Sequence, residues 1–294
     1  MHEFLMIRAF AGSQDDFVDF LESHFPEQTQ VLNARSATLI PNTKCVETRV
    51  PVNSSSFQEI KTFIDSKRNQ NEEHYQYITT RLLRKYSAAE LQNAEILRLT
   101  ITSHFEPSGE ECGTIYETVC NHCNLGWQAS ALILDLRRAP QHKDISETIA
   151  WVEWIVSRKF VQTVAENKLT GAEFRPVFDL RNPTRESRNW AQLRVSGRAG
   201  AIAESTKLGR DPFSPSQLSW RCPLGHSVVA QFLSEVHLKR NEWDGSDIAV
   251  TSSLFGQGRN LLRPTPLIII SQRMYSHIQD ADLKGLSLEI AHLI

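Results

Sequence analysis

Ile155-Val156-Ser157-Arg158-Lys159-Phe160 is answered 114 positions along the chain (157 to 271) by Ile269-Ile270-Ser271-Gln272-Arg273-Met274. The same ungapped offset aligns Leu169 with Leu283 and Gly171 with Gly285, and it matches apolar character at Phe160/Met274, Val164/Ile278 and Phe174/Leu288. Each segment reads as an apolar strand, a helix and a second strand. In both, a serine stands where its hydroxyl caps the helix, and a glycine stands just past the helix end, where left-handed backbone is commonly required. The agreement falls at the positions a fold depends on, and it predicts a degenerate duplication of one β-α-β unit.

Working outward toward the start of the chain, residues 3–11 are apolar enough for a strand, and Ser13 precedes Phe17, Phe20, Leu21 and His24 at the spacing of one helical face. Residues 33–50 read as extended, with a hairpin at Pro41-Asn42. Ser54-Ser55-Ser56 caps a helix that presents Phe57, Ile60 and Ile64 on one side and ends in the polar run from Lys67 to Asn71. A further helix is expected over residues 73–85. Ser87-Ala88-Ala89-Glu90 has the form of a capping box, in which serine and glutamate satisfy each other's free backbone amides. From Ile96 the period becomes two, with Leu97, Leu99 and Ile101 inward and Arg98, Thr100 and Thr102 outward, a half-buried strand.

Pro107-Ser108-Gly109 marks a boundary, dividing an N-terminal α+β region (1–106) from a region (107–294) that holds the duplicated units. Within the latter, residues 131–136 read as a strand and 137–144 as a polar loop. The arginine-rich stretch 180–210, with Arg181, Arg185, Arg188, Arg194 and Arg198 around Trp190, reads as a solvated loop or hairpin. The expected fold class is α+β, with mixed sheets, helices and two related β-α-β units.

Composition narrows the function classes. A net charge of −2 and a pI near 6.6 give no global attraction to nucleic acid or anionic membrane. The longest strongly apolar run, Pro266 to Ile270, falls far short of the ~20 residues a membrane helix needs. Glu3 and Arg8 stand where a secretory signal would carry a basic start and a long apolar core, so the expected location is the cytoplasm. The cysteine count there is odd, five, and metal binding or burial is favoured over a disulfide framework. No G-x-S-x-G elbow, Walker loop or strand-to-helix G-x-G-x-x-G is present.

The cysteines themselves carry a motif. Cys120-Asn121-His122-Cys123 supplies two sulfurs from one tight turn, and a hundred residues later Cys222-Pro223-Leu224-Gly225-His226 offers a thiol and an imidazole across a second turn. Zinc favours tetrahedral thiolate and imidazole donors, so Cys120, Cys123, Cys222 and His226 are the candidate metal ligands, with Cys112 and His122 as alternative fourth donors. Four protein donors leave no open position, which makes the expected Zn2+ structural. Two other readings fit parts of the pattern. His104-Phe105-Glu106 ahead of the C-x-x-C is similar to the H-x-E and C-x-x-C elements of zinc nucleobase deaminases, though Val119 replaces their proline. The arginine-rich stretch would suit a zinc-ribbon-like nucleic-acid binder.

Glu117-Thr118-Val119-Cys120-Asn121-His122-Cys123, the stretch from Ile155 through Leu169-Thr170-Gly171-Ala172-Glu173-Phe174-Arg175-Pro176-Val177, and the later cysteine turn resemble the bacterial double-CXXCG motif proteins. The resemblance covers roughly residues 110–294. It departs from the family at Asn124, where a glycine is expected, and at the second knuckle, which lacks its second cysteine. Position by position, it carries Cys120, Cys123 and Cys222 over as metal-site cysteines. It implies an immunity protein, encoded beside a contact-delivered polymorphic toxin, whose partner is that cognate protein toxin and which needs no catalytic residues.

Overall fold

A computed structural model describes residues 1–11, 16–32, 44–68, 78–209, 212–213, 220–229, 231–256 and 263–294. The chain forms two compact units, one of residues 1–86 with 211–217 and a larger one of residues 87–210 with 218–294. The composition break near residue 107 therefore lies inside the larger unit, and the division falls at Tyr86 and Ser87.

The smaller unit contains β1 (His2–Ala11), α1 (Asp16–His24), β2 (Thr29–Leu32), β3 (Lys44–Pro51), α2 (Ser55–Arg68) and β4 (Ile78–Lys85). Its sheet runs β2-β3-β1-β4, all antiparallel. Leu5, Ile7 and Ala9 of β1 meet Phe17 and Leu21 of α1 and Phe57, Ile60 and Ile64 of α2 in one core. The Ser54 hydroxyl accepts from the Phe57 amide at 3.1 Å and so opens α2 as its sequence indicates. The expected hairpin at Pro41-Asn42 lies outside the described residues, as do Ser13 and residues 73–77.

One expectation fails here. Residues 78–85, read as the end of a helix, form β4, which pairs with β1 from Ala9↔Ile78 to His2↔Lys85. The run Ile78-Thr79-Thr80 is β-branched, and Arg84 buries its guanidinium against Glu3 Oε1 at 2.7 Å. Pairing along a whole neighbouring strand outweighs a weak helical period of this length.

In the larger unit, chain order gives α3 (Ala88–Asn93), β5 (Ile96–Ile101), β6 (His104–Phe105), β7 (Tyr116–Cys120), β8 (Leu125–Gln128) and β9 (Leu132–Leu134). There follow β10 (Ile145–Thr148), β11 (Trp154–Ser157), α4 (Arg158–Glu166) and β12 (Ala172–Asp179). Then come β13 (Asn182–Val195), β14 (Gly197–Gly200), β15 (Leu208–Gly209), β16 (Trp220–Arg221), β17 (Ser227–Val229), β18 (Gln231–Phe232) and β19 (Val236–Leu238). β20 (Ile248–Phe255), β21 (Thr265–Ser271), α5 (Gln272–Asp280) and β22 (Leu286–Leu293) complete it. The capping box at Ser87 and Glu90 is formed as the sequence predicts. The mixture of helices with mixed sheets is α+β.

The duplication extends well beyond the segments that reveal it. One sheet contains the order β10-β11-β13-β12-β9, and the other contains β20-β21-β5-β22-β19. Every corresponding pair has the same sense: antiparallel three times, then parallel for β12 with β9 and for β22 with β19. β6 joins β10 in parallel as β14 joins β20. Registers agree too, with Val156↔Ala191 matched by Ile270↔Leu97 and Phe174↔Leu193 matched by Leu288↔Leu99. The central strands are exchanged between the copies. β5, which leads the first copy, pairs with β21 and β22, while β13, which leads the second, pairs with β11 and β12.

This placement corrects the reading of β5 as half-buried. Sandwiched between two neighbours and covered on both faces, it buries Ile96, Leu97, Arg98, Leu99 and Ile101. Arg98 is accommodated because its guanidinium lies 4.4 Å over the Phe232 ring and donates to Glu289 Oε2 at 3.4 Å. The principal core is assembled from equivalent residues of the two copies: Ile145 and Ile248, Val156 and Ile270, Phe160 and Met274, Val164 and Ile278, Leu169 and Leu283.

The caps of the two helices show the local chemistry that makes them alike. Ser157 and Ser271 have nearly the same backbone angles and accept from Phe160 and Met274 amides. Each serine hydroxyl also donates to an aspartate, Ser157 to Asp144 Oδ1 at 2.7 Å and Ser271 to Asp247 Oδ1 at 2.8 Å. The second oxygen of each aspartate serves the opposite copy: Asp144 accepts from the Lys284 amide and Asp247 from the Thr170 amide, both at 2.9 Å. Gly171 and Gly285 follow at φ +85° and +102°, and a Cβ there would lie 2.0 Å from Ile248 O and 2.2 Å from Ile145 O. Only glycine fits a positive φ against a neighbouring carbonyl at that distance.

Candidate metal centre

The first knuckle sits where β7 turns into β8. A register shift between Thr118 and Cys120 breaks the ladder just before the turn, and Asn124 closes it at φ +53°. Asparagine is the non-glycine residue best able to take that left-handed conformation. The second knuckle lies between β16 and β17, the corresponding hairpin of the second copy. The Cys222 amide donates to His226 O at 2.9 Å, the Gly225 amide donates to Cys222 O at 2.8 Å, and Gly225 takes φ +86°.

The two turns bring their donors together. Cys120 Sγ lies 4.0 Å from Cys222 Sγ, and His226 Nδ1 lies 3.4 Å from Cys123 Sγ and 3.3 Å from Cys222 Sγ. All four donor atoms fall within 4.8 Å of one another, with the three cysteines buried and His226 half-buried. Metal–sulfur bonds near 2.3 Å and metal–nitrogen bonds near 2.0 Å at tetrahedral angles place donors about 3.6–3.8 Å apart, so these residues match a four-coordinate ion. The separations are far longer than a disulfide, and all five cysteines are free thiols.

Burial pushes the Cys120 thiol up, but the amides of Cys123 and His122, together with the Cys123 and His226 side chains, bring it down to about 6. Burial drives Cys123 the other way, up to about 11, with the neighbouring Cys120 adding to the effect. Amides aimed at a sulfur in a tight turn favour its charged form, the form that binds metal.

Among the described residues this is the single such group of cysteine, histidine and carboxylate donors, and it comprises the four residues expected from the sequence. Cys112 and His122 are outside it. Cys112 is buried and its thiol is raised by that burial, whereas His122 is exposed. The deaminase-like arrangement is not assembled. His104 Nδ1 lies 3.1 Å from Glu147 Oε1, and Glu106 Oε1 accepts from the Ala150 amide at 2.7 Å. The arginine-rich stretch is solvated as expected at the tip of the β12–β13 hairpin, where Arg181 grips Asp179 through two 3.0 Å bonds, but it continues into the central strand β13, which buries Trp190 to Leu193.

A residue that the sequence does not flag braces the first knuckle. Arg263 donates through Nε to Asn124 O at 2.9 Å and lays its guanidinium 3.4 Å from the centre of the Trp151 ring. Trp151 stacks in turn on Tyr116 of β7, with ring centres 3.8 Å apart, and donates to Glu110 Oε2 at 2.6 Å. Tyr116 donates to Glu153, whose carboxyl is held above the usual range, chiefly by burial. Arg263 follows no motif and is separated from the knuckle by well over a hundred residues, so only the folded chain reveals it.

Fold and site thus define an α+β chain whose two structural repeats each extend one knuckle into a shared four-donor cluster. The chain matches no family model and no curated protein.

Proposed function

We propose that this protein is a binding protein with a structural zinc clamp, and that its partner is a cognate protein toxin which it neutralises in the cytoplasm of the producing cell. The observation that carries the reading is the closed donor set of Cys120, Cys123, Cys222 and His226. Three thiolates and an imidazole in tetrahedral spacing suit Zn2+ above harder ions, and four protein donors leave no place for the water that a catalytic zinc activates. Zinc here would hold the two knuckles together and leave recognition to the surface. The toxin partner is supplied by the resemblance of the knuckle and of residues 155–177 to the double-CXXCG proteins.

Co-expression with the product of the neighbouring reading frame tests this. Restored growth and a stable complex of the two proteins are expected, and the absence of both rejects the reading. The brace on the clamp gives a second expectation: Arg263→Ala lowers zinc affinity about tenfold, the usual consequence of removing an outer support of a metal site. Competition with a chromophoric chelator measures it.

A further inference from the structure

Glu106, which the thiolate cluster leaves aside, belongs to a second group of donor atoms. Glu106 Oε2, Ser108 Oγ and Glu153 Oε2 are buried and have no hydrogen-bond partner among the described residues. Buried polar groups are almost always paired, so three such oxygens in one region call for an occupant. Chain connectivity puts them together: Ser108 stands two residues from Glu106 and next to Gly109, whose amide donates to Glu153 Oε1 at 2.8 Å. A Cβ at residue 109 would lie 2.8 Å from Glu153 Oε1 and 2.7 Å from the Tyr116 hydroxyl, so the glycine lets this loop close tightly on Glu153.

Each carboxylate is held through one oxygen and leaves the other unanswered. Glu153 is 5% exposed, its Oε1 also accepts from Tyr116, and its backbone is tied to the Thr148 hydroxyl at 3.1 Å and the Thr148 amide at 3.2 Å. Glu106 Oε1 accepts from the Ala150 amide at 2.7 Å. Ser108 is 1% exposed, and its amide donates to Glu111 Oε2 at 3.1 Å while its hydroxyl stays unused. Burial raises the Glu153 carboxyl and the charge of Glu106 adds to the rise, so the two acids act on each other. Among the described residues neither is in an ion pair. Arg263 shares the neighbourhood, but it donates to the carbonyls of Asn124 and Ala150 and lies over Trp151.

Two buried carboxylates without a counter-ion are costly, and a water among them leaves both charges in place. A hard cation neutralises them and is bound by oxygen donors of this kind. We infer that Glu106, Ser108 and Glu153 supply side-chain oxygens to a second metal site, one for a hard divalent cation. Ca2+ suits it better than Mg2+, because Mg2+ keeps several of its waters and these oxygens are closed to solvent. The site differs in chemistry from the thiolate cluster but is joined to it. Glu153 holds Tyr116, Tyr116 stacks on Trp151, and Trp151 carries the guanidinium that braces the first knuckle.

The test uses the full-length, zinc-loaded protein in calcium-free buffer, with Tb3+ as a luminescent probe for the Ca2+ site. Tyr116 bonds Glu153 and Trp151 stacks on Tyr116, so light absorbed by these rings is expected to excite a single bound Tb3+. Ca2+ is expected to displace the probe at lower concentration than Mg2+ does. Ca2+ at a hundredfold excess over its dissociation constant is expected to raise the melting temperature by about 5 °C. Glu153→Gln removes one charge and puts an amide donor beside the remaining carboxylate. It is expected to melt at or above the metal-free wild type and to lose both responses. Ser108→Ala is expected to weaken Ca2+ binding several-fold with zinc content unchanged. A wild type that neither binds Tb3+ nor gains stability from Ca2+ overturns the site, and stability that then rises as pH falls assigns the two glutamates a shared proton instead. Responses unchanged in Glu153→Gln and Ser108→Ala overturn it too, in favour of adventitious binding at the exposed Glu110 and Glu111.

Discussion

Cys222→Ser is expected to abolish stoichiometric zinc binding and to lower the melting temperature of the larger unit by about 10 °C, because structural zinc contributes several kcal/mol of folding energy and each kcal/mol moves the transition of a unit this size by roughly 2–4 °C. The loss has a local cause. Serine keeps the shape of the turn held by the Cys222 amide and Gly225 but removes the thiolate that faces Cys120 across 4.0 Å. The remaining two sulfurs and the imidazole then make an incomplete site. Cys112→Ser serves as the control, since that buried thiol lies outside the donor set and its removal leaves zinc content unchanged. Zinc retained at one equivalent in Cys222→Ser, measured by elemental analysis, would show that the ion is held elsewhere.

Asp247→Ala is expected to be the most damaging change away from the metal. The buried carboxylate accepts from the Ser271 hydroxyl at 2.8 Å, from the Thr170 amide at 2.9 Å and from Arg273 at 3.1 Å. Truncation frees a helix cap, a loop amide and a guanidinium at once, a loss of about 3 kcal/mol or more, since buried donors left without acceptors each cost roughly 1–3 kcal/mol. Asp144→Ala, its counterpart, is expected to lose a similar amount through Ser157 and the Lys284 amide. Denaturant titration of the two variants measures both losses. A decrease under 1 kcal/mol in either would mean that the paired caps do not carry the joint between the copies.

What could be read from the residues was local chemistry. The cap serines and the glycines after the helices act over a few positions, as does each cysteine turn taken alone; the caps are found where the sequence places them, and the fold gathers the four candidate donors of the two turns into one cluster. The remainder of the duplication was invisible because its spacings drift: Asp144 corresponds to Asp247, closer together than Ser157 and Ser271, and an ungapped comparison loses the register between them. The strand exchange could not be inferred at all, since pairing of β5 with β21 and β22 is a contact of maximal separation that leaves no periodic trace. β4 shows the opposite failure, a plausible local period overridden by a partner strand. Arg263 was missed for the same reason as the exchange: its role comes wholly from where the fold carries it.

The exchanged strands set an order of events during synthesis. Leu97 and Leu99 leave the ribosome well before the strands that bury them, β21 and β22. Until then β5 is a nascent apolar segment with two open edges, the kind of segment that chaperones hold and that aggregates when they do not. The duplicated half of this protein therefore completes its folding only after translation has passed its final strand.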